Sequence, residues 1–312
     1  MLDILQKMLY TCNNLKKGSY NMLTTNNKIG YLEDDFKIFH LRDKRDIEFE
    51  YHHHDFSKII ILLDGDLTYH IEGRSYILKP WDILFVDKNE IHKPVVNPDK
   101  FYERIVIWLK PNFMDKYGDN NSDLLTCFKM SIINKNNLLR LNSISLSNLK
   151  NIIQNLINSI NDNSFGNDIL KISVFLQLMV FINRMTLENL NNNHIQDITF
   201  DSTIQGVIDF INNNLQGDLS IDNIASEFFI SKYYLMRKFK SETGNTIHNY
   251  ILQKRLIMAK ELISKGYAMG NICTICGFND YSSFVRAFKK TYGVSPSKYN
   301  PLNNFEQSIS DN

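Results

Sequence analysis

Histidines in the first hundred residues are the side chains whose spacing could support chemistry. His52 and His54 are separated by one residue, so in an extended segment their side chains lie on the same face. A third histidine, His92, follows the apolar run DILFV at 82–86, which is typical of a strand. Two histidines from one segment and a third from a neighbouring strand could hold a zinc or iron ion.

Lys58 is the residue in this segment that weighs against a metal ion. It follows His54 by four positions, and its ammonium group would repel a divalent cation. Aromatic side chains nearby could stack on a sugar or an aromatic ring, although they could equally belong to a core. They are Tyr51, Tyr69, Tyr76, Trp81 and Trp108. The residues alone leave structural histidines, a ligand pocket and a metal centre as possibilities.

A second chemical pattern occurs twice near the C-terminal end, 49 residues apart. The motif L-x-R-x-F-K-x-x-x-G at 235–244 is matched by F-x-R-x-F-K-x-x-x-G at 284–293. In each copy the apolar residues at i and i+4 face a core, so the Arg at i+2 and the Lys at i+5 project outward. Glycine just past the last periodic residue suits the left-handed turn that ends a helix. Two short basic helices of this kind are typical of a protein that contacts DNA.

Lysine and arginine are concentrated around this repeat. The whole chain has a formal net charge of +1, yet residues 230–300 contain 12 Lys and Arg against 3 Asp and Glu. Such clustering is the electrostatic pattern of a phosphate-binding surface. Without the repeat, a merely solvated helix face would be the simpler explanation. The repeat and the charge together favour DNA binding.

The elements that position these residues follow from the hydrophobic pattern. Short apolar runs separated by turn residues predict antiparallel β-structure at 36–113. Apolar residues at helical spacing predict helices at 114–190, which could form a subunit interface. Residues 204–300 predict a helical domain of two helix-turn-helix units joined by a connecting helix. The other predicted segments are a polar N-terminal extension (1–35), an Asn-rich linker (191–203) and a polar tail (301–312).

Cysteine usage and the N-terminal residues bear on the compartment. Four cysteines in 312 residues do not make a disulfide framework, so we expect reduced thiols. Cys273 and Cys276 have CxxC spacing, but only His248 is nearby as a further zinc ligand, so we interpret both as structural. Residues 1–10 lack the pattern of a signal peptide, and the apolar stretch at 174–182 is too short to span a bilayer. We expect a cytoplasmic protein without a membrane partner.

The C-terminal residues resemble the AraC/XylS-type bacterial transcription regulators. The likeness covers about 204–300, and so many residues at matching spacing make it specific. Departures from the family are Cys273 in place of a small alanine and Gly270 inside a helix, where glycine costs about 1 kcal/mol relative to alanine. The matching residues include Ile224-Ala225, Ser231, Tyr234-Leu235, Tyr250, Gly277-Phe278 and Ser295-Pro296.

The resemblance implies how DNA would be bound. The connecting helix would hold the two recognition helices about one DNA turn apart, so that they enter successive major grooves. Arg237 and Arg286 would read bases, because arginine can bond a guanine edge with two hydrogen bonds. The lysines would contact phosphates. The residues expected to face DNA are Lys232, Tyr233, Met236, Arg237, Lys240, Tyr281, Ser282, Val285, Arg286, Lys289 and Lys290.

The N-terminal segment resembles a cupin. His52-x-His54, Gly65, Pro80-Trp81-Asp82 and His92 carry this likeness, and Lys58 stands where metal-binding cupins generally have a glutamate. Regulators of the AraC/XylS type commonly keep a cupin as a ligand-sensing pocket without catalysis. The resemblance therefore implies a small-molecule effector, such as a sugar or another small polar metabolite, and no metal or other cofactor. The implied pocket residues are His52, His54, Lys58, Tyr69, Trp81 and His92.

The predicted fold class is α+β with several domains: a cupin-like antiparallel β-barrel with a helical dimerisation segment, then an all-α domain of two helix-turn-helix units. The predicted function is that of a sequence-specific transcription regulator, not an enzyme, which binds double-stranded promoter DNA as a homodimer and works with RNA polymerase. An effector would reposition the helices at 149–190 and so change how paired DNA-binding domains meet their half-sites. The alternative is a metal-dependent cupin enzyme, a dioxygenase or isomerase that uses His52, His54 and His92.

Overall fold

The computed structural model describes residues 36–44, 49, 51–110, 117, 122–160, 162–189 and 197–299. The predicted N-terminal extension and polar tail lie outside these residues, as do residues 191–196 of the predicted linker. Within them the chain forms antiparallel sheets first and a helical domain last, which confirms the predicted fold class.

Two antiparallel sheets form the N-terminal half of the described chain. Their strands are β1 (Phe36–Asp43), β2 (Ser57–Asp64), β3 (Leu67–Ile71), β4 (Arg74–Ile77), β5 (Ile83–Val86), β6 (His92–Val96), β7 (Tyr102–Leu109), β8 (Leu138–Leu139) and β9 (Ile198–Phe200). The strand order is β1-β7-β2-β5-β8 in the first sheet and β6-β3-β4-β9 in the second. The two sheets pack around a shared apolar core.

The central strand β2 explains the continuous apolar runs in this half of the sequence. Residues 57–62 are all buried, because both faces of the first sheet are covered. Ile60 faces the second sheet, whereas Ile59 faces a group of helices on the outside. Alternate residues of a strand share a face, so Lys58 lies on the inner face with Ile60. This places a lysine inside the space between the sheets.

Three helices cover the outer face of the first sheet: α1 (Thr126–Ile133), α2 (Ser143–Ile160) and α3 (Asn167–Asn189). Phe175 of α3 stacks on Phe36 with ring centroids 3.9 Å apart. By length and apolar composition alone α3 could cross a membrane, but a core helix of a soluble protein meets the same criterion. The apolar part of this helix is longer than the stretch at 174–182 suggests. Its buried residues pack into the outer core beside the sheet.

Two short strands differ from the predicted domain boundaries. Strand β8 lies in the segment predicted to be helical, and pairs with β5. Strand β9 lies in the predicted linker, and pairs with β4 through Arg74 and Phe200. Neither strand is long enough to show an alternation of apolar and polar residues. Both are held by backbone hydrogen bonds to a strand that is distant in the sequence. The linker prediction is therefore wrong for 198–200, and the helices at 126–189 form one folded unit with the sheets.

The C-terminal half is helical. Its helices are α4 (Ser202–Asn213), α5 (Ile221–Glu227), α6 (Lys232–Thr243), α7 (Ile247–Ser264), α8 (Met269–Ile275) and α9 (Tyr281–Tyr292), followed by a 3₁₀ turn at Pro296–Lys298. Helices α5 and α6 form the first helix-turn-helix unit, and α8 and α9 form the second. The connecting helix α7 contributes its first turns to the core of the first unit and its last turns to the core of the second.

Local capping residues determine where these helices begin. Ser220, Ser231, Thr246 and Asp280 each accept a hydrogen bond from the backbone N–H three residues later. Helix α4 begins at residue 202, before the predicted domain start at 204, with Asp201 as its cap. After Ser295 the described chain forms only a short 3₁₀ turn.

Candidate nucleic-acid interface and histidine cluster

The first repeat helix, α6, is anchored on one face and open on the other. Leu235 and Phe239 are fully buried in the core of the first unit. Gly244 follows the helix with a φ of 68°, a left-handed conformation that glycine adopts without strain. Arg237, between the two anchors, is exposed. The direction of this arginine is therefore set by two buried side chains.

The second repeat helix, α9, has the same construction. Phe284 and Phe288 are fully buried, and Gly293 follows with a φ of 79°. Arg286 lies between the anchors and is exposed. Because i and i+4 share the buried face of a helix, the residue at i+2 must point away from it. Arg237 and Arg286 thus occupy equivalent positions in the two units.

The other residues predicted to face DNA are exposed with one exception. Val285 is half-buried and packs against the core of the second unit. It follows the buried Phe284 directly, which puts it at the edge of the apolar stripe rather than on the open face. The exposed residues are Lys232, Tyr233, Met236, Arg237, Lys240, Tyr281, Ser282, Arg286, Lys289 and Lys290.

The local partners of the two arginines are neutral side chains. Arg237 lies near Tyr233 one turn earlier, with its Cζ 5.8 Å from the ring centroid. Arg286 donates from Nη2 to the hydroxyl of Ser283 at 3.3 Å. Neither arginine forms an ion pair with an acidic residue that the structure describes. By contrast, Lys238 forms ion pairs with two carboxylates, so its charge is already partnered within the protein.

The three predicted histidines come together. The candidate ligand nitrogens of His52, His54 and His92 all lie within 4.8 Å of one another. His52 and His92 are also joined through the backbone, by N–H to O bonds of 3.1 Å and 2.9 Å in the two directions. This bridge holds the 52–54 segment beside the start of β6. We call these three side chains the histidine cluster.

Hydrogen bonds define the state of His92 and its neighbour Lys58. Nδ1 of His92 must donate to the backbone oxygen of Glu90, 2.8 Å away, so its Nε2 carries the lone pair. Lys58 Nζ donates to that Nε2 at 2.9 Å, and both side chains are buried. Burial, assisted by the charge of Arg104, lowers the pKa of Lys58 to about 7. Burial also lowers the pKa of His92 and that of His54 well below the usual value, so both imidazoles are neutral.

Of the remaining predicted pocket residues, Tyr69 joins the cluster and Trp81 does not. The ring centroid of Tyr69 lies 6.0 Å from that of His92. Trp81 donates its backbone N–H to Leu62, toward the far end of β2 from Lys58. Its ring packs against the outer core, with Lys150 Nζ 4.6 Å from the centroid. Trp81 is therefore a residue of the outer face, and its inclusion in the pocket was wrong.

Aromatic residues complete the wall around His54. Phe56 stacks on His54 with centroids 4.8 Å apart and an interplanar angle of 14°. The ring of Trp108 lies 4.6 Å from that of Phe56. The sequence offered Trp108 as one of several aromatic candidates, but it did not single out Phe56. The alternation His52-His54-Phe56 in the segment before β2 is the signal that would have placed Phe56 on the same face.

Glu72 joins the sheets to the connecting helix. This residue is buried in the tight turn between β3 and β4. Its carboxylate accepts hydrogen bonds from the hydroxyl of Tyr250 and, at 2.6 Å, from Lys254 Nζ, both on α7. It also accepts the backbone N–H of Ile91 at 2.7 Å. Sequence reasoning missed this contact because its partners are about 180 positions apart.

The residues next to the histidine cluster make further contacts with α7. Asp55 forms an ion pair with Lys260 at 2.9 Å. Asn89 donates its backbone N–H to His54 O at 2.7 Å and its side-chain amide to Glu261 at 2.9 Å. These bonds connect both segments that carry the histidines to one helix. We call this set of contacts, together with those of Glu72, the α7 contact.

Apolar side chains of the first half extend the contact to the first helix-turn-helix unit. Ile91 is almost fully buried and belongs to the core formed by α4, α5, α6 and the start of α7. Tyr51 packs against the same core and lies against Gly244, where a Cβ would overlap its ring. A Cβ on Gly73 would overlap Ile208 of α4 in the same way. The glycines thus permit close approach of the two halves.

Comparison with known proteins agrees with this architecture. A family model described as an AraC-like ligand binding domain matches residues 38–179, and a helix-turn-helix domain model matches residues 224–301. The chain is 27% identical over 252 residues to the probable transcriptional regulator LumQ of Photobacterium leiognathi, covering 80% of this chain and 91% of that protein. It is also 27% identical over 256 residues to the transcriptional activator RhaS of Mannheimia succiniciproducens, covering 80% and 88%.

A solved structure, that of an apo ToxT variant from Vibrio cholerae, is 19% identical and covers 85% of this chain and 97% of that one, with a TM-score of 0.34, too low to add to the argument. The relatives are transcription regulators and activators rather than enzymes, so the cupin-enzyme alternative has no support. Both matched models and both halves of the structure lead to the same assignment. The chain belongs to the AraC-type transcription regulators, with a ligand-binding domain followed by a helix-turn-helix DNA-binding domain.

Proposed function

We propose that this regulator reads promoter DNA through Arg237 and Arg286, one in each of two successive major grooves. The observation that carries the proposal is their equivalent placement. Each arginine lies between two buried anchors on a capped helix, and each is exposed without a carboxylate partner among the described residues. A guanidinium held in this way can form two hydrogen bonds to a guanine edge.

The lysines near the ends of the two helices have a different role in the proposal. Lys240, Lys289 and Lys290 lie in the last turns, where they would contact phosphate oxygens. Contacts of this kind release counterions from DNA and so raise affinity for every sequence. Arginine at the centre of each helix would then supply the sequence preference.

The experiment is binding to duplexes selected from a random pool by the full-length protein. We expect Arg286→Ala to lose about 1–3 kcal/mol of discrimination at one base pair. Lys289→Ala, the control three residues away, should weaken selected and random DNA equally and reduce the salt dependence by about one unit. Equal losses on both kinds of DNA for Arg286→Ala would refute its assignment to base reading.

The effector in this proposal is a small polar molecule bound at the histidine cluster, with Lys58 and Tyr69 beside it. A few convergent polar side chains beside aromatic walls are a feature of small-molecule sites. A thermal-shift screen of small polar metabolites on the full-length protein tests this. A ligand that stabilises the wild type and not the His92→Gln variant would identify the effector class; a ligand that stabilises both equally would place its site elsewhere.

The structure suggests a route from the pocket to DNA that differs from the one predicted from the sequence. The histidine-bearing segments contact α7 directly, through Asp55 and Asn89. Helices α2 and α3, which contain the described part of 149–190, instead lie behind the first sheet. We therefore place the coupling at the α7 contact. An effector can act there only if its affinity differs between two arrangements of the domains.

The proposal also includes a homodimer in the cytoplasm that works with RNA polymerase. Exposed apolar residues on the outer helices support self-association, among them Ile169, Leu170 and Leu187 of α3. Sedimentation of wild type and Leu187→Glu tests this. We expect the variant to be monomeric, and a monomeric wild type would contradict the dimer.

A further inference from the structure

The ammonium group of Lys58 is buried between the two sheets without an acidic partner. Its side chain is only 7% exposed. One of its three N–H groups donates to His92 Nε2 at 2.9 Å, and no carboxylate that the structure describes forms an ion pair with it. A buried charge without a counterion is costly, so the other two N–H groups lack an acceptor. An ammonium in this position repels a divalent cation and attracts an anion.

A second buried cation, Arg104, lies on the same inner face of the first sheet. It pairs in register with Leu62 of β2, which belongs to the core between the sheets. Its guanidinium is close enough for its charge to act on Lys58. Arg104 itself forms an ion pair with Asp43 at 2.8 Å. The positive charge without a partner is therefore that of one ammonium group, which a single carboxylate would balance.

Other polar groups around the ammonium also lack hydrogen-bond partners. Tyr69 of the second sheet and Tyr102 of the first are both buried, and neither hydroxyl forms a hydrogen bond to a described residue. Nδ1 of His54 is buried without a partner as well. Because buried polar groups are ordinarily hydrogen-bonded, this grouping is more easily explained by a ligand than by packing alone. A carboxylate accepts several hydrogen bonds and donates none, which suits the hydroxyls and the free N–H groups of Lys58.

Aromatic rings form the apolar side of the same site. Trp108 of β7 lies opposite Lys58 in the register of the sheet, so its ring is next to the lysine on the inner face. Phe56 packs between Trp108 and His54, with ring centroids 4.6 Å and 4.8 Å away. The site thus has one cationic end and one aromatic wall. A carboxylate on a short apolar chain would match both parts.

We propose that the effector of this regulator is a small monocarboxylate, whose carboxylate group binds at Lys58 between the two sheets. The inference rests on the function proposed above, because it names the chemical class of the effector assigned there to the histidine cluster. Lys58 supplies the charge through the two N–H groups that His92 does not use. Tyr69 supplies a hydroxyl donor from the opposite sheet, and the aromatic wall contacts the apolar chain.

The two tryptophans of the chain provide the test of the site. Full-length protein labelled with fluorotryptophan is titrated, without DNA, with acetate, propionate and butyrate, and with the primary amide of each acid. Fluorine NMR should show a shift at Trp108, beside Lys58, and none at Trp81, which lies on the outer face. We expect the acids to bind at least about tenfold more tightly than their amides, because hydrogen bonds to a charged group are stronger than neutral ones.

Lys58→Met should abolish the preference for acids over amides. The variant should still fold, since it removes a buried charge that has no counterion. Tyr69→Phe keeps the ring and removes only the hydroxyl, so we expect it to bind the acids about three- to tenfold more weakly. The control is Lys100→Met, which removes an exposed lysine paired with Asp66 and should bind as the wild type does.

Four results would overturn the carboxylate site. They are equal affinity for acids and amides, undiminished binding of acids by Lys58→Met, a shift at Trp81 without one at Trp108, and tighter binding of inorganic phosphate than of any acid. Absence of binding by all three acids would overturn it as well. A neutral metabolite that stabilises the wild type but not His92→Gln would then leave the proposed pocket standing without this effector class.

The regulatory role of the acid is measured on the selected duplexes. We expect the tightest-binding acid to change the DNA affinity of the wild type by at least about threefold and that of Lys58→Met not at all. Binding of the acid with unchanged DNA affinity would overturn its role as effector. Failure of every protein form to bind DNA would instead reject the proposed function, whereas the titration without DNA still decides the site.

Discussion

The two helix-turn-helix units have the same internal construction but different surroundings. Phe239 packs on Tyr250 with ring centroids 5.5 Å apart, and Phe288 packs on Tyr299 at 5.6 Å. The core of the first unit nevertheless includes Ile91 from the ligand-binding domain. The core of the second unit consists only of C-terminal residues among those described. Equivalent residues thus serve an interdomain contact in one unit and a self-contained core in the other.

This difference shows which part of the DNA-binding domain is in direct contact with the ligand-binding domain. It contacts the first unit and α7 directly, through Ile91 and Glu72. The second unit is reached mainly through α7, whose last turns pack in its core. A change at the contact would therefore alter how the second recognition helix is placed relative to the first.

Because the repeat has a fixed offset, each repeat residue at the contact has a matched control 49 positions later.

The largest effect is expected for the paired substitutions Phe239→Ala and Phe288→Ala. Each removes a fully buried aromatic ring and should cost about 3–5 kcal/mol. We expect Phe239→Ala also to increase hydrogen exchange in the loop at 87–92, because that loop packs on the same core. Phe288→Ala should leave exchange in this loop unchanged. Equal exchange in the two variants would mean that the domain contact does not depend on the first unit.

The two helix-terminating glycines provide a sharper comparison. Gly293→Ala should cost about 1–2 kcal/mol, because alanine is disfavoured at positive φ and the surrounding space is open. Gly244→Ala has the same free-energy cost of placing alanine at positive φ. It also forces the new Cβ into the ring of Tyr51. The overlap should add about 1–3 kcal/mol and loosen the domain contact.

Denaturant unfolding of both glycine variants measures the comparison. Adding Tyr51→Ala to Gly244→Ala should reduce its additional cost, because the overlapping ring is then gone. The same addition should have no such effect on Gly293→Ala. If Gly244→Ala and Gly293→Ala are equally destabilising, Tyr51 does not press on the first unit in solution.

The repeat itself and the ends of its helices could be predicted from the sequence, because those signals are local. Ser231 can cap the start of the helix with its hydroxyl, and Gly244 can adopt the left-handed conformation at its end, so both roles follow from residue type. The histidine grouping could also be predicted, since the spacing of His52 and His54 fixes their common face. Ile91 carried no such signal, because one apolar residue in a polar loop does not show which core it enters. Trp81 was misplaced because the cupin resemblance fixes its position in a turn but not the side of the sheet that its ring faces.

The paired tyrosines test the polar part of the contact. Tyr250→Phe removes the hydroxyl that donates to the buried carboxylate of Glu72, which should cost about 1–3 kcal/mol. Tyr299→Phe removes a hydroxyl with no hydrogen bond to another described residue, so its effect should stay within about 0.5 kcal/mol. Thermal unfolding of both variants measures the difference. Similar small losses would show that the Glu72 bond does not contribute to stability.

The last comparison concerns pH, and its effect should appear only at the first unit. Burial raises the pKa of Glu90 to about 8, and the nearby charge of Glu72 acts in the same direction. Between the usual pKa of a glutamate and this value, the folded protein holds a proton that the unfolded chain has released. Stability therefore falls as pH rises through this range, by up to about 1.4 kcal/mol per pH unit, and levels off above pH 8.

Glu90 precedes Ile91, so its ionisation should weaken the packing of that residue in the first unit while leaving the second unit unaffected. Glu90→Gln keeps a neutral side chain at every pH and should lose this dependence. Unfolding of wild type and variant between about pH 6 and pH 8 provides the measurement, with hydrogen exchange to assign the change to one unit. If both proteins show the same pH slope, the glutamate titrates outside this window, and the two units differ in packing alone.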